Sequence, residues 1–238
     1  MRLDKLLSNM GYGSRKEVKK VLKSGSVRIN EKVIKDGSYK VDPDQSDVTV
    51  HGELVEYKPY VYLMLNKPQG VISATEDNHH KTVIDLLDES YLLYDPFPVG
   101  RLDKDTEGML LLTNDGKFSH SLMSPKKHVK KTYYAKVKGT VTEEDIGLFK
   151  KGVTLDDGYV TKPADLTIIT AGEQSEVELT ITEGKFHQVK RMFEAVDKKV
   201  TFLKRISIGG LKIDPSLEKG MVRELTEEDK LALFEELI

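Results

Sequence analysis

Val99-Gly-Arg-Leu-Asp-Lys-Asp-Thr-Glu-Gly-Met-Leu-Leu-Leu-Thr-Asn-Asp-Gly116 runs from a polar loop into an apolar strand and out through a turn. Gly100 and Gly108 admit backbone angles that a Cβ forbids. Between them Arg101, Asp103, Lys104, Asp105 and Glu107 crowd charge directly ahead of an apolar run. Met109 to Leu112 reads as an interior strand, apolar on both faces and stopped by Asn114-Asp115-Gly116. Two readings fit: a solvated hairpin loop, or a rigid scaffold presenting a carboxylate at the mouth of a buried strand.

Composition narrows the class. The 238 residues suffice for one large domain, or for a small one and a medium one. With 38% hydrophobic and 32% charged residues the chain is ordinary for a globular protein. No apolar run approaches the ~20 residues of a membrane span. Met1-Arg-Leu-Asp-Lys-Leu-Leu7 lacks the apolar core and cleavage site of a signal peptide. The chain has no Cys, so it has no disulfide framework, thiolate nucleophile or cysteine metal site. That composition fits a reducing, cytoplasmic setting. A net charge of -2 argues against a uniformly basic nucleic-acid binder. Basic patches remain open, because attraction to phosphate is local on the ~8–10 Å scale of salt screening.

The charge is segregated. Basic residues crowd Met1 to Val41, whereas Asp42, Asp44, Asp47, Glu53 and Glu56 reverse the sign. Leu3, Leu6 and Leu7 have helical spacing, ended by Gly11-Tyr-Gly13. Ser14 caps a second helix, Arg15 to Lys23, that buries Val18, Val21 and Leu22. Its opposite stripe carries Lys16, Lys19, Lys20 and Lys23. Val27-Arg-Ile29 and Val48-Thr-Val50 read as strands, with turns at Asn30-Glu-Lys32 and His51-Gly52. Arg2-Leu-Asp-Lys-Leu-Leu7, Ser14-Arg-Lys-Glu-Val18, Gly25-Ser-Val-Arg-Ile-Asn30 and the Val33 strand resemble the S4 RNA-binding domain. The resemblance covers roughly the first quarter of the chain. It implies that Ser14, Arg15, Lys16 and Lys19 lie on an RNA-facing helix with Arg28 beside it, positioning phosphates more than reading sequence.

Glu56-Tyr-Lys-Pro59 is a stiff connector, giving domains at 1–58 and 59–238. Tyr60 to Leu65 reads as a strand that Asn66-Lys-Pro-Gln-Gly70 halts in a turn, with Lys67 available to add positive charge nearby. Thr82 caps a short helix, and Tyr94-Asp-Pro-Phe-Pro98 is extended. A helix from Lys117 to Met123 ends near Pro125. In the strand after Lys126 to Lys131, Tyr133 and Tyr134 face opposite sides, one for the core and one for stacking. Gly158 to Ile169 and Gln174 to Ile181 read as two further strands. Val189, Met192, Phe193 and Val196 predict a helix from about His187. Lys190 and Arg191 near its start oppose the macrodipole, which makes sense beside an anion, phosphate or carboxylate. The acidic tail ends in an amphipathic helix after Thr226.

Three constellations in the larger domain need one explanation: the Asp103 loop, the strand tyrosine and the 187–191 helix. The six His lack ligand spacing, so no metal site is expected. No nucleotide loop or serine elbow is present. Asp103 and Asp105, about 6.5–7 Å apart if extended, leave a paired-carboxylate hydrolase open on geometry.

Gly100 to Gly116, Leu65-Asn-Lys-Pro-Gln-Gly70, Lys131-Thr-Tyr133, Glu183-Gly-Lys-Phe-His-Gln-Val-Lys-Arg-Met192 and Gly220-Met-Val-Arg-Glu-Leu225 recur in order as motifs of the pseudouridine synthases. The resemblance is to the RsuA/RluB/RluE/RluF branch and is greatest to the RsuA type, which acts on 16S rRNA. It implies an α+β fold. A small N-terminal S4 (αL-type) domain precedes a catalytic domain with a long, mixed, mainly antiparallel sheet flanked by helices. It implies Asp103 as the catalytic aspartate, Tyr133 stacking on uracil, and Lys190 where many relatives carry an Arg paired with that aspartate. Because Lys lacks the bidentate fork, Arg191 or Arg101 would share that role, and Arg101 would also fill the gap left by a flipped base. Asp105 would be orienting or solvated. No cofactor or metal is implied. The expectation is a cytoplasmic monomer that isomerises uridine to pseudouridine in ribosomal RNA or a pre-ribosomal subunit, most simply 16S rRNA. The same reaction on 23S rRNA is one alternative. A non-catalytic S4-type assembly factor is the other, disfavoured because it has no use for Asp103 and Tyr133.

Overall fold

The structure, a computed structural model, describes residues 1–234 apart from Asp44 and Pro125. Asp44 of the acidic segment, the expected stop at Pro125 and the last four residues of the tail therefore lie outside the described residues. By its internal contacts the chain forms two units. One holds Met1–Val61 with Asp88–Asp95, the other Tyr62–Leu87 with Pro96–Ile238.

In the first unit local sequence signals produce the elements directly. Helix α1 (Leu3–Asn9) buries Leu3, Leu6 and Leu7. Helix α2 (Arg15–Lys23) buries Val18 and Leu22. The Glu17 carboxylate accepts hydrogen bonds from the Ser14 amide at 2.7 Å and hydroxyl at 2.6 Å, closing the helix start. Strands β1 (Val27–Ile29), β2 (Lys32–Val33), β3 (Val48–Val50) and β4 (Glu53–Leu54) form an antiparallel sheet in the order β2-β1-β3-β4. Its hairpins turn at Asn30-Glu31 and His51-Gly52, all four with positive φ, as tight two-residue turns require. Val27, Ile29, Val48 and Val50 join the helix leucines in one core.

The second unit is built on a nine-stranded sheet. Its first strand is β5 (Tyr62–Lys67); helix α3 (Glu89–Leu92), which had no expectation, groups with the first unit. Then follow β6 (Phe97–Val99), β7 (Glu107–Thr113), α4 (Gly116–Met123), β8 (Lys131–Lys138), α5 (Glu143–Lys151), β9 (Asp165–Thr170) and β10 (Gln174–Ile181). The chain closes with α6 (Gln188–Glu194), β11 (Lys199–Ile208), β12 (Leu211–Lys212), β13 (Val222–Glu224) and α7 (Glu227–Ala232). The path is β13-β5-β7-β11-β8-β10-β9, with β6 on β7 and β12 on β11. Every pairing is antiparallel except β7 with β11, so the sheet is mixed and mainly antiparallel as expected.

β7 is buried along its whole length, which is why Met109 to Leu112 could be apolar on both faces. On one side Met109 and Leu111 pack with Met64, Val99 and Leu122. Gly108 sits where the parallel neighbour comes closest: a Cβ there would lie 2.2 Å from the Arg205 carbonyl oxygen, at a φ of 100°. Two expectations need correction. The strand read from Gly158 starts at Asp165, because Pro163 has no N–H and the Lys162 amide donates to the Glu183 carboxylate at 2.9 Å. Thr82 opens only a 3₁₀ turn, Ile84–Leu86.

Candidate active site

The loop between β6 and β7 is held from behind by one buried ammonium. Lys67, the last residue of β5, is fully buried. Its Nζ donates to the carbonyls of Asp103 at 3.0 Å and Thr106 at 2.9 Å, and to that of Pro68 at 3.0 Å. Ser73 adds two bonds to Leu102: its hydroxyl donates to the carbonyl at 2.9 Å and accepts the amide at 3.0 Å. The Gly70 amide donates to the Lys104 carbonyl at 2.8 Å. Burial lowers the Lys67 pKa to about 8, against the raising effect of Asp103, Asp105 and Glu107. The Asn66-Lys-Pro-Gln-Gly70 motif thus ends β5 and turns at Gln69-Gly70, and its lysine, still in the strand, faces inward and fixes the charged loop.

With its backbone fixed, the loop sends two carboxylates forward to different places. Asp103 lines a cavity of about 580 Å³ together with Arg101, Lys131, Tyr133, Lys185 and His187. Asp105 is 69% exposed and is absent from that lining. Lys190, from the first turn of α6, bridges them, 3.2 Å from Asp103 Oδ2 and 2.7 Å from Asp105 Oδ1. Burial works to lower the Lys190 pKa, but its bonds to the two carboxylates prevail and raise it. Asp105 feels the reverse: partial burial opposes ionisation, while the bond to Lys190 holds its pKa below the usual carboxylate range. His187 Nε2 lies 3.6 Å from Asp103 Oδ1.

Tyr133 is the buried tyrosine of β8 and Tyr134 the half-buried one, which packs edge-on against Phe202 at 6.1 Å. Tyr133 sits opposite Leu179 on β10 and Arg205 on β11. Arg205, only 2% exposed, donates from Nε to the Met109 carbonyl at 2.8 Å. Lys131, also lining the cavity, donates to the Val129 carbonyl at 3.1 Å. Its burial, with the charge of Arg205 alongside, lowers its pKa to about 8.

Of the expected site residues, Asp103, Arg101 and Tyr133 line this cavity, and Lys190 reaches Asp103 from a smaller adjoining pocket that those three also line. Arg191 does not. Its guanidinium pairs with Asp156, and with Asp157 at 2.7 Å, and Nη1 donates to the Phe186 carbonyl at 3.3 Å. The sharing of the aspartate's cation between Lys190 and Arg191 is therefore not what the geometry provides: consecutive helical residues point apart, and of the two only Lys190 reaches Asp103. Sequence reading missed His187, which enters α6 in the left-handed conformation with φ 50°. It also missed Glu183, whose buried carboxylate accepts from Tyr159 Oη at 2.7 Å and Gln188 Nε2 at 2.8 Å. Ser14, Arg15, Lys16, Lys19 and Arg28 are all exposed on the first unit. Among the described residues no group of three or more His, Asp or Glu is placed to hold a metal ion, and no helix is long and apolar enough to cross a membrane.

A carboxylate flanked by a cation, an aromatic floor and a cavity suits chemistry on a nucleobase and its sugar. Residues 61–195 match the family described as RNA pseudouridylate synthase, and residues 1–47 match the S4 domain. The chain is 56% identical to an uncharacterized RNA pseudouridine synthase, YtzG, of Bacillus subtilis (strain 168), over 96% of each chain. It is 42% identical to the ribosomal small subunit pseudouridine synthase A of Yersinia pestis, again over 96% of each. A solved structure titled as a pseudouridylate synthase superposes with a TM-score of 0.69 at 36% identity, over 98% of this chain and 99% of that one. The chain belongs to the RNA pseudouridylate synthase family and is an RNA pseudouridine synthase carrying an S4 domain.

Proposed function

We propose that the chain isomerises uridine in ribosomal RNA, specifically small-subunit 16S rRNA, with Asp103 as its single catalytic carboxylate acting on a flipped-out uridine. The observation that carries this reading is the division of labour between two neighbouring acids. Asp103 lines the cavity beside Tyr133, whereas Asp105 stands in solvent outside that lining and pairs with Lys190. The named small-subunit enzymes, at 42% identity in Yersinia pestis and 39% in Escherichia coli (strain K12), support the choice of subunit.

In the reaction the C1′–N1 bond breaks, the uracil turns, C1′–C5 forms, the C5 proton leaves and N1 gains one. An ionised carboxylate serves this either by attack at C1′ or by removing the proton at C2′. Tyr133 supports the uracil by stacking, worth roughly 1–3 kcal/mol. Lys190 supplies the countercharge, and Arg101, exposed at the rim, fills the space the base vacates. On the first unit Arg15, Lys16, Lys19 and Arg28 hold phosphates, with Ser14 at the helix start. Replacing those four cations by Gln lowers the slope of log affinity against log salt by roughly 0.7 per charge for a single-stranded target.

The test is release of tritium from a 5-tritiated 16S transcript, followed by carbodiimide-dependent primer extension. A stop within 16S supports the proposal. Release only from a 23S transcript moves the substrate to the large subunit.

A further inference from the structure

Phe186 is held out in water by design. It is 76% exposed, more than any other large hydrophobic side chain among the described residues. An apolar ring so displayed is usually a mobile loop residue or a contact surface. Here the backbone beneath it is anchored. Arg191, itself clamped by Asp156 and Asp157, donates to the Phe186 carbonyl. The preceding Lys185 amide donates to Gln188 Oε1 at 2.9 Å, and Gln188 is held by Glu183. The Lys185 ammonium sits 4.5 Å over the Tyr159 ring. One face of the Phe186 ring stacks on His187, centroids 3.7 Å apart at 20°. Phe186 lines the rim of the same cavity as Asp103 and Tyr133, among Arg101, Lys104 and Lys185.

We propose that Phe186, backed by His187, is the stacking platform for an unpaired RNA base next to the target uridine. The cavity carries two aromatic surfaces at different depths, Tyr133 buried at the floor and Phe186 exposed at the rim. A single flipped base occupies the floor, so the rim ring is left to a neighbouring nucleotide. The surrounding cations match the phosphates on either side of it, and a rigid aromatic face accepts any base. Arg191 thereby acquires a positioning role: it holds the Phe186 carbonyl and touches no reacting atom. The inference rests on the Asp103 cavity being the active site.

The chain has no Trp, so Phe186→Trp introduces one fluorophore. Titration with unmodified 16S transcript quenches that indole, with the midpoint found by filter retention of the same complex. Ile169→Trp, on the half-exposed outer strand β9, is not quenched. Inorganic polyphosphate, an anion without bases, quenches neither. Phe186→Ala raises KM for tritium release roughly tenfold with kcat within about twofold, and Phe186→Tyr restores KM. Retained RNA without quenching, quenching by polyphosphate, or an unchanged KM in Phe186→Ala would each overturn the proposal. Tritium release by Asp103→Asn tests the active-site reading separately, because the fluorescence change needs no turnover.

Discussion

Lys67 and Lys190 serve the same loop from opposite sides. Lys67 lies behind it, fully buried, and spends its donors on backbone carbonyls. Lys190 stands in front, partly open, and pairs with side-chain carboxylates. The pKa of the first is lowered by burial to about 8, while that of the second is raised by its carboxylate partners despite burial. The contrast separates two requirements of a catalytic loop. Its path is set by charge-assisted bonds to backbone, and under the proposed mechanism the cation in front supplies the countercharge to Asp103.

The most severe break in this comparison is Lys67→Met. It strands several buried carbonyls, and an unfolding free energy lower by about 3–5 kcal/mol is expected, with tritium release lost even where the protein stays folded. Urea denaturation and single-turnover assays read the two effects. Wild-type stability in that variant would remove the distinction between the two lysines. Lys190→Met leaves stability within about 1 kcal/mol, because the pair is partly solvated. It cuts the single-turnover rate roughly 10- to 100-fold, and Lys190→Arg recovers most of the loss. Equal stability losses in Lys67→Met and Lys190→Met would mean that both are structural.

A smaller effect concerns Lys131, buried beside Arg205 and donating to the Val129 carbonyl. Its folded pKa of about 8 lies below its ordinary 10.5. Between these values the unfolded chain binds the extra proton, so stability contributed by this group rises with pH across that window and is lost as pH falls through about 8. The deficit of wild type relative to Lys131→Met therefore narrows from pH 8 to 9, by at most about 1.4 kcal/mol. Paired urea melts at the two pH values measure it; a difference independent of pH would show that the burial of Lys131 carries no such cost.

How far sequence reaches follows the range of the interactions. The first unit was legible because its signals are local: Ser14 with Glu17, and two-residue turns at Asn30 and His51. The Gly100 to Gly116 stretch was legible because a strand buried on both faces shows itself as an unbroken apolar run. Strand β11 went unread: Lys199, Lys204 and Arg205 disguise it, and Arg205 is buried only because the Met109 carbonyl, 96 residues away in sequence, receives its Nε. Lys67 was read as turn chemistry for the same reason, since its acceptors at Asp103 and Thr106 arrive 36 and 39 residues later. The stack of Phe186 on His187 depends on a left-handed backbone that no local pattern announces.

Under the proposed mechanism Asp103 does the chemistry and Asp105, two residues on, does not. Single-turnover tritium release from 5-tritiated 16S transcript, compared for Asp103→Asn and Asp105→Asn, tests it directly. A drop on the order of 10³-fold or more is expected for Asp103→Asn, with Asp105→Asn within about threefold of wild type. Undiminished release by Asp103→Asn, or equal losses in both variants, would contradict it.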